Sequence, residues 1–482
     1  MNVCKDLKPQ KVFQFFEEIC GIPHGSGNTK AISDYCVDFA KKRNLAVYQD
    51  EQNNVIICKP GTVGYEESDP VIIQGHLDMV CEKDADTVID FKKEGLHLYV
   101  DGDFLKAKGT TLGGDDGIAV AYALALLDSD DLSHPPLEVV LTVDEEVGML
   151  GAEAIDLSML KGKRLLNIDS DEEGIFLASC AGGLRADCRI PVSYCRVSGS
   201  RYELKLHGLL GGHSGSEIHK ERANAIVTAG RVLKALQDEV GISVESLQGG
   251  LMDNAIPREV ICMLAVESGR DQELSEAVEK WASVLKKEYK SSDPDITLSL
   301  TKAGEGSCQA LDNRSLLKVL LFLRNIPYGI QNMSMDIPGL VETSLNPGIM
   351  KLSEEEFQVS FSIRSSVTSR KYDLLDQLCF LTEFLGGEIT ASGDYPAWEY
   401  QAESEMRELM ATTYRDLFGK EPQIQAIHAG LECGLFSGKI KGLDCISFGP
   451  ANFDIHTPKE RLSISSTERV WKLIVEFLRR AK

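Results

Sequence analysis

An α/β fold interrupted by a separate α+β domain is what this 482-residue chain predicts. Two observations carry that expectation. Over roughly the first 180 residues, buried apolar runs alternate with helical patterns in the order strand, helix, strand, which calls for a sheet with parallel pairs. After AGGLRAD, residues 181–187, the texture changes to longer strands and amphipathic helices, the mark of a second core. Length alone points the same way, since one core rarely serves more than about 250–300 residues.

The elements follow in chain order. NLAVYQDEQNNVIICKP predicts a hairpin, PVIIQGH and LEVVLTV predict buried strands, and GIAVAYALALLDS between them predicts a largely buried helix. From 185 to 390, RYELKLHGL, EVICMLAVES, ITLSLTKA and FQVSFSIRSS read as strands. ERANAIVTAGRVLKALQDEV and LSEAVEKWASVLKKEYK, in the same stretch, read as amphipathic helices. From 391, SEMRELMATTYRDLF predicts a helix, LDCISFG a short strand and STERVWKLIVEFLRRAK a closing helix. No internal repeat or low-complexity tract is evident.

Composition narrows the function. The chain is 43% hydrophobic and 26% charged, as soluble globular proteins are. A net charge of -23 argues against nucleic acid or an anionic membrane as partner and favours small soluble substrates. The start carries charges where a signal peptide would be apolar, and no stretch reaches the roughly 18–20 apolar residues that span a bilayer. Thirteen cysteines without a CxxC pair suit reduced thiols, so a cytoplasmic location is expected.

Five short segments carry the chemistry. VIIQGHLDMV, residues 71–80, ends an apolar strand in His76 and Asp78, which point to one side because strand side chains alternate. KGTTLGGDDGIAVAYALALL places Asp115 and Asp116 between a Gly-rich turn and the buried helix. LEVVLTVDEEVGMLGAEAI runs a strand straight into Asp144, Glu145 and Glu146, and RLLNIDSDEEG delivers Asp169 at the end of another apolar segment. LDCISFGPANFDIHTPKERLS sets His456 in a loop after a short strand. Each alone is explicable as a helix cap, a solvated acidic pair or a core histidine. Together, His76, Asp115, Glu146, Asp169 and His456 suit two zinc ions, with one carboxylate bridging them and an adjacent glutamate left free as a base.

In the order GHLDMV, GGDDG, DEEVGMLGA, NIDSDEEG and FGPANFDIHTP, the chain resembles the di-zinc aminoacylase and carboxypeptidase superfamily, and within it the aminoacyl-histidine dipeptidases. The likeness spans essentially the whole chain. It implies that His76 and Asp169 bind one zinc, Glu146 and His456 the other, and that Asp115 bridges them. Co2+ or Mn2+ are expected substitutes. It further implies Asp78 as the carboxylate behind His76, Glu145 as general base, and a cis peptide between Asp115 and Asp116. Asp116 stands where related dipeptidases often carry Asn.

The same resemblance assigns the inserted domain a lid role. GLLGGHSGSEIH implies His213 as an oxyanion donor; DNAIPRE and FSIRSS imply Asn254 and Arg364 as holders of the substrate's terminal carboxylate. AIHAGLECGLF implies Glu432 at the dipeptide's amino terminus, with His428 nearby. A ligand as late as His456 requires the last segment to rejoin the first. The expected organisation is therefore a discontinuous catalytic α/β domain of mixed sheet and flanking helices, 1–184 plus 391–482, with an inserted α+β lid, 185–390. Expected partners are a dipeptide, such as β-alanyl-histidine, and a second copy of the chain. The competing readings are a broader dipeptidase or aminopeptidase, an N-acyl amino acid deacylase, and a non-catalytic metal-binding scaffold.

Overall fold

The structure, a computed structural model, describes residues 3–482. Its chain divides into two compact units: Met1–Cys180, Tyr400–Ala426 and Leu431–Lys482 form the first, and Ala181–Glu399 with Ile427–Gly430 the second. The first crossing falls at Cys180 rather than 184, because Ile175–Cys180 belongs to one sheet and Gly182–Pro191 to the other. The second falls at Glu399 rather than 390, because Glu388–Tyr395 pairs with Gly182–Pro191.

The first unit is built on an eight-stranded mixed sheet. Its order is Ala46–Gln49, Val55–Lys59, Leu137–Thr142, Val71–His76, Arg164–Asn167, Asp444–Ser447, Ile175–Cys180 and Gln423–Ile427. The four central strands run parallel, and Val71–His76 and Leu137–Thr142 are buried at every residue, as strands covered on both faces must be. The helix Gly114–Asp128 is apolar all round from Ile118 and buried through Leu127, so it is a core helix rather than an amphipathic one. It approaches Val71–His76 so closely that a Cβ on Gly75 would lie 2.5 Å from the Ala119 Cβ. The last segment closes this layer: Ile464–Arg480 buries Val470, Leu473, Ile474 and Phe477 at helical spacing, and its Ser463 cap accepts the Ser466 N–H. Four parallel strands ending together give a sheet edge where a site can form.

The second unit is an antiparallel nine-stranded sheet carrying the helices Ala225–Glu239, Asp271–Glu288, Asn313–Asn325 and Thr368–Phe384. Its core is aromatic at one point, with Phe322 edge-on to both Phe357 and Phe361. The strand Val341–Leu352 is absent from the sequence expectation, and it contains Asn346-Pro347-Gly348. A bulge between Pro347 and Ile349 absorbs those residues within the ladder to Glu356–Ser365. No helix among the described residues is long and apolar enough to cross a membrane.

Candidate active site

At the carboxyl ends of the parallel strands in the first unit, Asp115 stands between two imidazoles. Its Oδ1 is 3.2 Å from His76 Nε2 and its Oδ2 is 3.1 Å from His456 Nε2. His456 Nε2 also lies 2.9 Å from Glu146 Oε1, and His76 Nε2 lies 4.0 Å from Asp169 Oδ1. Ligand atoms fall within 4.8 Å of one another in three groupings: His76, Asp116 and Asp169; His76, Glu145 and Glu146; Asp115, Glu146 and His456. The peptide between Asp115 and Asp116 is cis.

The sequence reading missed Asp116 as a member of this cluster. It is buried, shares a grouping with His76 and Asp169, and its Oδ2 accepts the His76 backbone N–H at 3.2 Å. Asp171, two residues beyond Asp169, was also missed. Burial first, then Asp115, pushes its carboxyl up to about 7. In both cases the signal was a second acid beside or two positions after the chosen one.

Asp78 does more than sit behind His76. The nearest acceptor to His76 Nδ1 is the Asp78 carbonyl oxygen at 2.9 Å, while the carboxylate Oδ1 stands 3.5 Å away. That carboxylate accepts the Glu145 N–H at 3.0 Å and the Ser26 hydroxyl at 2.7 Å. So Asp78 fixes the ring through Nδ1, leaving Nε2 to face the acids, and also fixes the turn that carries Glu145 and Glu146.

The electrostatics of the cluster call for positive charge. Among the described residues, only His76 and His456 form ion pairs with Asp115, Glu146 and Asp169. Burial disfavours charge on His76, yet Asp115 and Asp78 outweigh it and push the imidazole well above its ordinary value. Hydrogen bonds to Asp115 and Glu146 push His456 up to about 10. Burial above all, with Glu432, Glu146 and Asp115 adding, pushes Glu145 up to about 8 against the pull of His76. Histidines that cling to protons inside a nest of carboxylates mark where cations belong, and N/O donors of this kind suit divalent zinc, manganese or cobalt.

Glu432 lies beside the cluster, and its charge acts on Glu145. It is fully buried; its Oε2 accepts the Thr142 hydroxyl at 2.8 Å and the Gln74 amide, and its Oε1 has no partner.

The second unit holds its own cluster. His213 pairs with Ala255 across a short ladder, which puts Asn254 next to it along the chain. His213 Nδ1 accepts the N–H groups of Gly215 and Ser216 at 3.2 and 3.0 Å, so the proton of the neutral ring sits on Nε2. A Cβ at Gly215 would lie 3.0 Å from His213 Cε1, 3.1 Å from Arg364 Nε and 2.7 Å from the His428 carbonyl, so all three surround that glycine. Ser344 faces Arg364 across the ladder and its hydroxyl is 2.7 Å from His428 Nε2. Burial, then the Arg364 charge, lowers both histidines, His428 to about 3. Arg364 Nη1 donates to the Tyr395 hydroxyl at 3.1 Å, while Arg364 Nε is buried without a partner among the described residues.

Comparison with known proteins gives the family. The chain is 37% identical over 481 residues to the cytosol non-specific dipeptidase of Escherichia coli, covering 99% of each. It matches the solved structure of aminoacylhistidine dipeptidase from Vibrio alginolyticus with a TM-score of 0.91, 36% identity and coverage of 99% and 98%. An aminopeptidase PepT from Bacillus cereus shares the fold, with a TM-score of 0.56 at 14% identity over 98% of this chain and 99% of that one. The profile of Peptidase family M20/M25/M40 matches residues 72–480. The chain belongs to this peptidase family and is a hydrolase, a metallopeptidase.

Proposed function

We propose that the chain is a metal-dependent dipeptidase acting on Xaa-His dipeptides such as β-alanyl-histidine. The observation that carries this reading is Asp115, whose two oxygens face His76 and His456 separately, as a bridging ligand's must. His76 and Asp169 would hold one divalent cation, Glu146 and His456 the other, with Asp115 shared. Zinc is the proposed metal, with cobalt or manganese as substitutes. When bound, such a pair supplies Lewis acidity and an acidified water near neutral pH.

The chain's own residues do the rest. Glu145 takes the proton of the attacking water and hands it to the departing amine. Bound cations would draw its raised pKa back down, toward the range in which a base works at neutral pH. His213, with its proton on Nε2, donates to the carbonyl oxygen as negative charge develops there. Arg364 and Asn254 hold the terminal carboxylate, Arg364 through its planar fork.

The Vibrio relative's name supports a preference for C-terminal histidine, and the Escherichia coli relative's name supports a broader range. We take the broader dipeptidase as the second reading. The protein acts in the cytoplasm, a reading that thirteen cysteines without a CxxC pair support, and acts as a homodimer. A panel of dipeptides varied at each position, run on metal-stripped protein reloaded with zinc, tests the reading. The expected result is about two zinc per chain and turnover of β-alanyl-histidine only after reloading. Equal turnover by the metal-free protein would sink it.

A further inference from the structure

Glu460 is a buried carboxylate, 3% exposed, that the reaction above leaves without a task. Its Oε2 accepts the backbone N–H groups of Leu112 at 2.7 Å and Gly113 at 3.0 Å. Its Oε1 accepts those of Gly114 at 2.8 Å and Asp115 at 3.4 Å, and the Asn452 side-chain amide at 3.2 Å. It belongs to none of the ligand groupings, so its oxygens are spent on the backbone rather than on a cation.

Those N–H groups lead into the helix Gly114–Asp128, whose cap Gly113 has no side chain to offer them. A helix start draws an anion, and here the chain supplies one from a segment far along the sequence. That segment is the loop carrying His456, a residue whose side chain is 45% exposed and whose φ is 60°. Nothing about His456's own surroundings holds it as firmly as burial holds His76. One carboxylate therefore ties the loop that presents Asp115 to the loop that presents His456, and the 3.1 Å approach of their side chains follows.

We propose that Glu460 is a positioning residue that keeps Asp115 in register with His456, so that the Asp115, Glu146 and His456 end of the cluster is assembled before a cation arrives. The inference rests on the metal-dependent reading above. It predicts that the two cation positions respond unequally to loss of the clamp, because the His76 end is fixed independently by Asp78 and the buried strand.

Two variants test it. Glu460→Gln keeps the shape but turns an NH2 group toward backbone N–H donors. Gly114→Ala keeps the carboxylate but adds a Cβ 3.1 Å from Glu460 Oε1 and 2.8 Å from Asn452 Nδ2, prying the clamp apart. Each is loaded with Co2+ and titrated with a chelator while its absorption spectrum, bound metal and Tm are followed. Expected is a split: one equivalent leaves at about 10- to 100-fold lower chelator, the range for groups that orient ligands, while the other, which shares Asp115 but keeps His76 and Asp169, shifts less. At limiting cobalt kcat falls and KM holds, and excess cobalt restores kcat. Wild-type retention of both equivalents in both variants overturns the proposal, as does loss of both together with a collapse in Tm. A wild-type protein that holds no cobalt overturns the metal-dependent reading itself, so the two failures are distinct.

Discussion

The two units use histidine in opposite ways. In the first, carboxylates surround His76 and His456 and push both imidazoles up, so the rings hold positive charge in an acidic nest. In the second, burial and the Arg364 guanidinium push His213 and His428 down, so the rings are neutral and serve as hydrogen-bonding groups. The residue type is the same; its neighbours decide whether it marks a cation site or an anion site. A net charge of -23 for the whole chain conceals this division, since the charge that lowers both histidines of the second cluster is the Arg364 guanidinium.

The sharpest way to break the comparison is to remove the base from the acidic cluster. Glu145→Gln should lower kcat by on the order of 10³-fold, the weight of a general acid-base group, with bound metal unchanged. Metal content and single-turnover rates on the same preparation check it. Turnover near the wild-type rate would take the base role from Glu145 and leave the cluster with binding alone.

The basic cluster is probed through substrate charge. Arg364→Ala should raise KM for a free-acid dipeptide by about 10- to 100-fold, as loss of a hydrogen bond to a charged group does, and leave KM for the C-terminal amide nearly unchanged. Steady-state kinetics on the matched pair read this directly. Equal effects on acid and amide would show that the second cluster does not hold a carboxylate.

The acidic cluster was far more legible in the sequence than the basic one, for a physical reason. His76, Glu146 and Asp169 follow apolar strands, and parallel strands that end together bring their next residues together whatever lies between them. Asp115 was legible from its Gly-rich turn before an all-apolar helix. What pattern could not supply was the third dimension of side-chain partners. Glu460 looks like one more loop acid, and only its four backbone donors reveal the clamp. The segment around Glu432 shows its resemblance but not that its carboxylate accepts the Thr142 hydroxyl and the Gln74 amide. In the second unit, Ser344 and His428 are 84 residues apart and lie on no shared periodicity, so their hydrogen bond is invisible before folding. Val341–Leu352 hid for the opposite reason, because a bulge lets Pro347 and Gly348 remain in a strand.

The gentlest test bears on why the second cluster stays neutral. A histidine in an unfolded chain takes up its proton near pH 6.5, whereas His428 in the folded protein does so only near 3. Between those values the unfolded state binds more protons, so this group's contribution to stability is full above about pH 6.5 and is lost as the pH falls. From pH 6.5 to 5 the loss from this one residue is about 2 kcal/mol, at 1.36 kcal/mol per pKa unit. His428→Gln removes the titration while keeping an amide that can meet Ser344. The variant should therefore show a smaller drop in Tm than the wild type between pH 7 and 5, and calorimetry at both values checks it. Parallel Tm profiles would mean that His428 is no more averse to a proton than an exposed histidine, and the contrast between the two clusters would then rest on Arg364 alone.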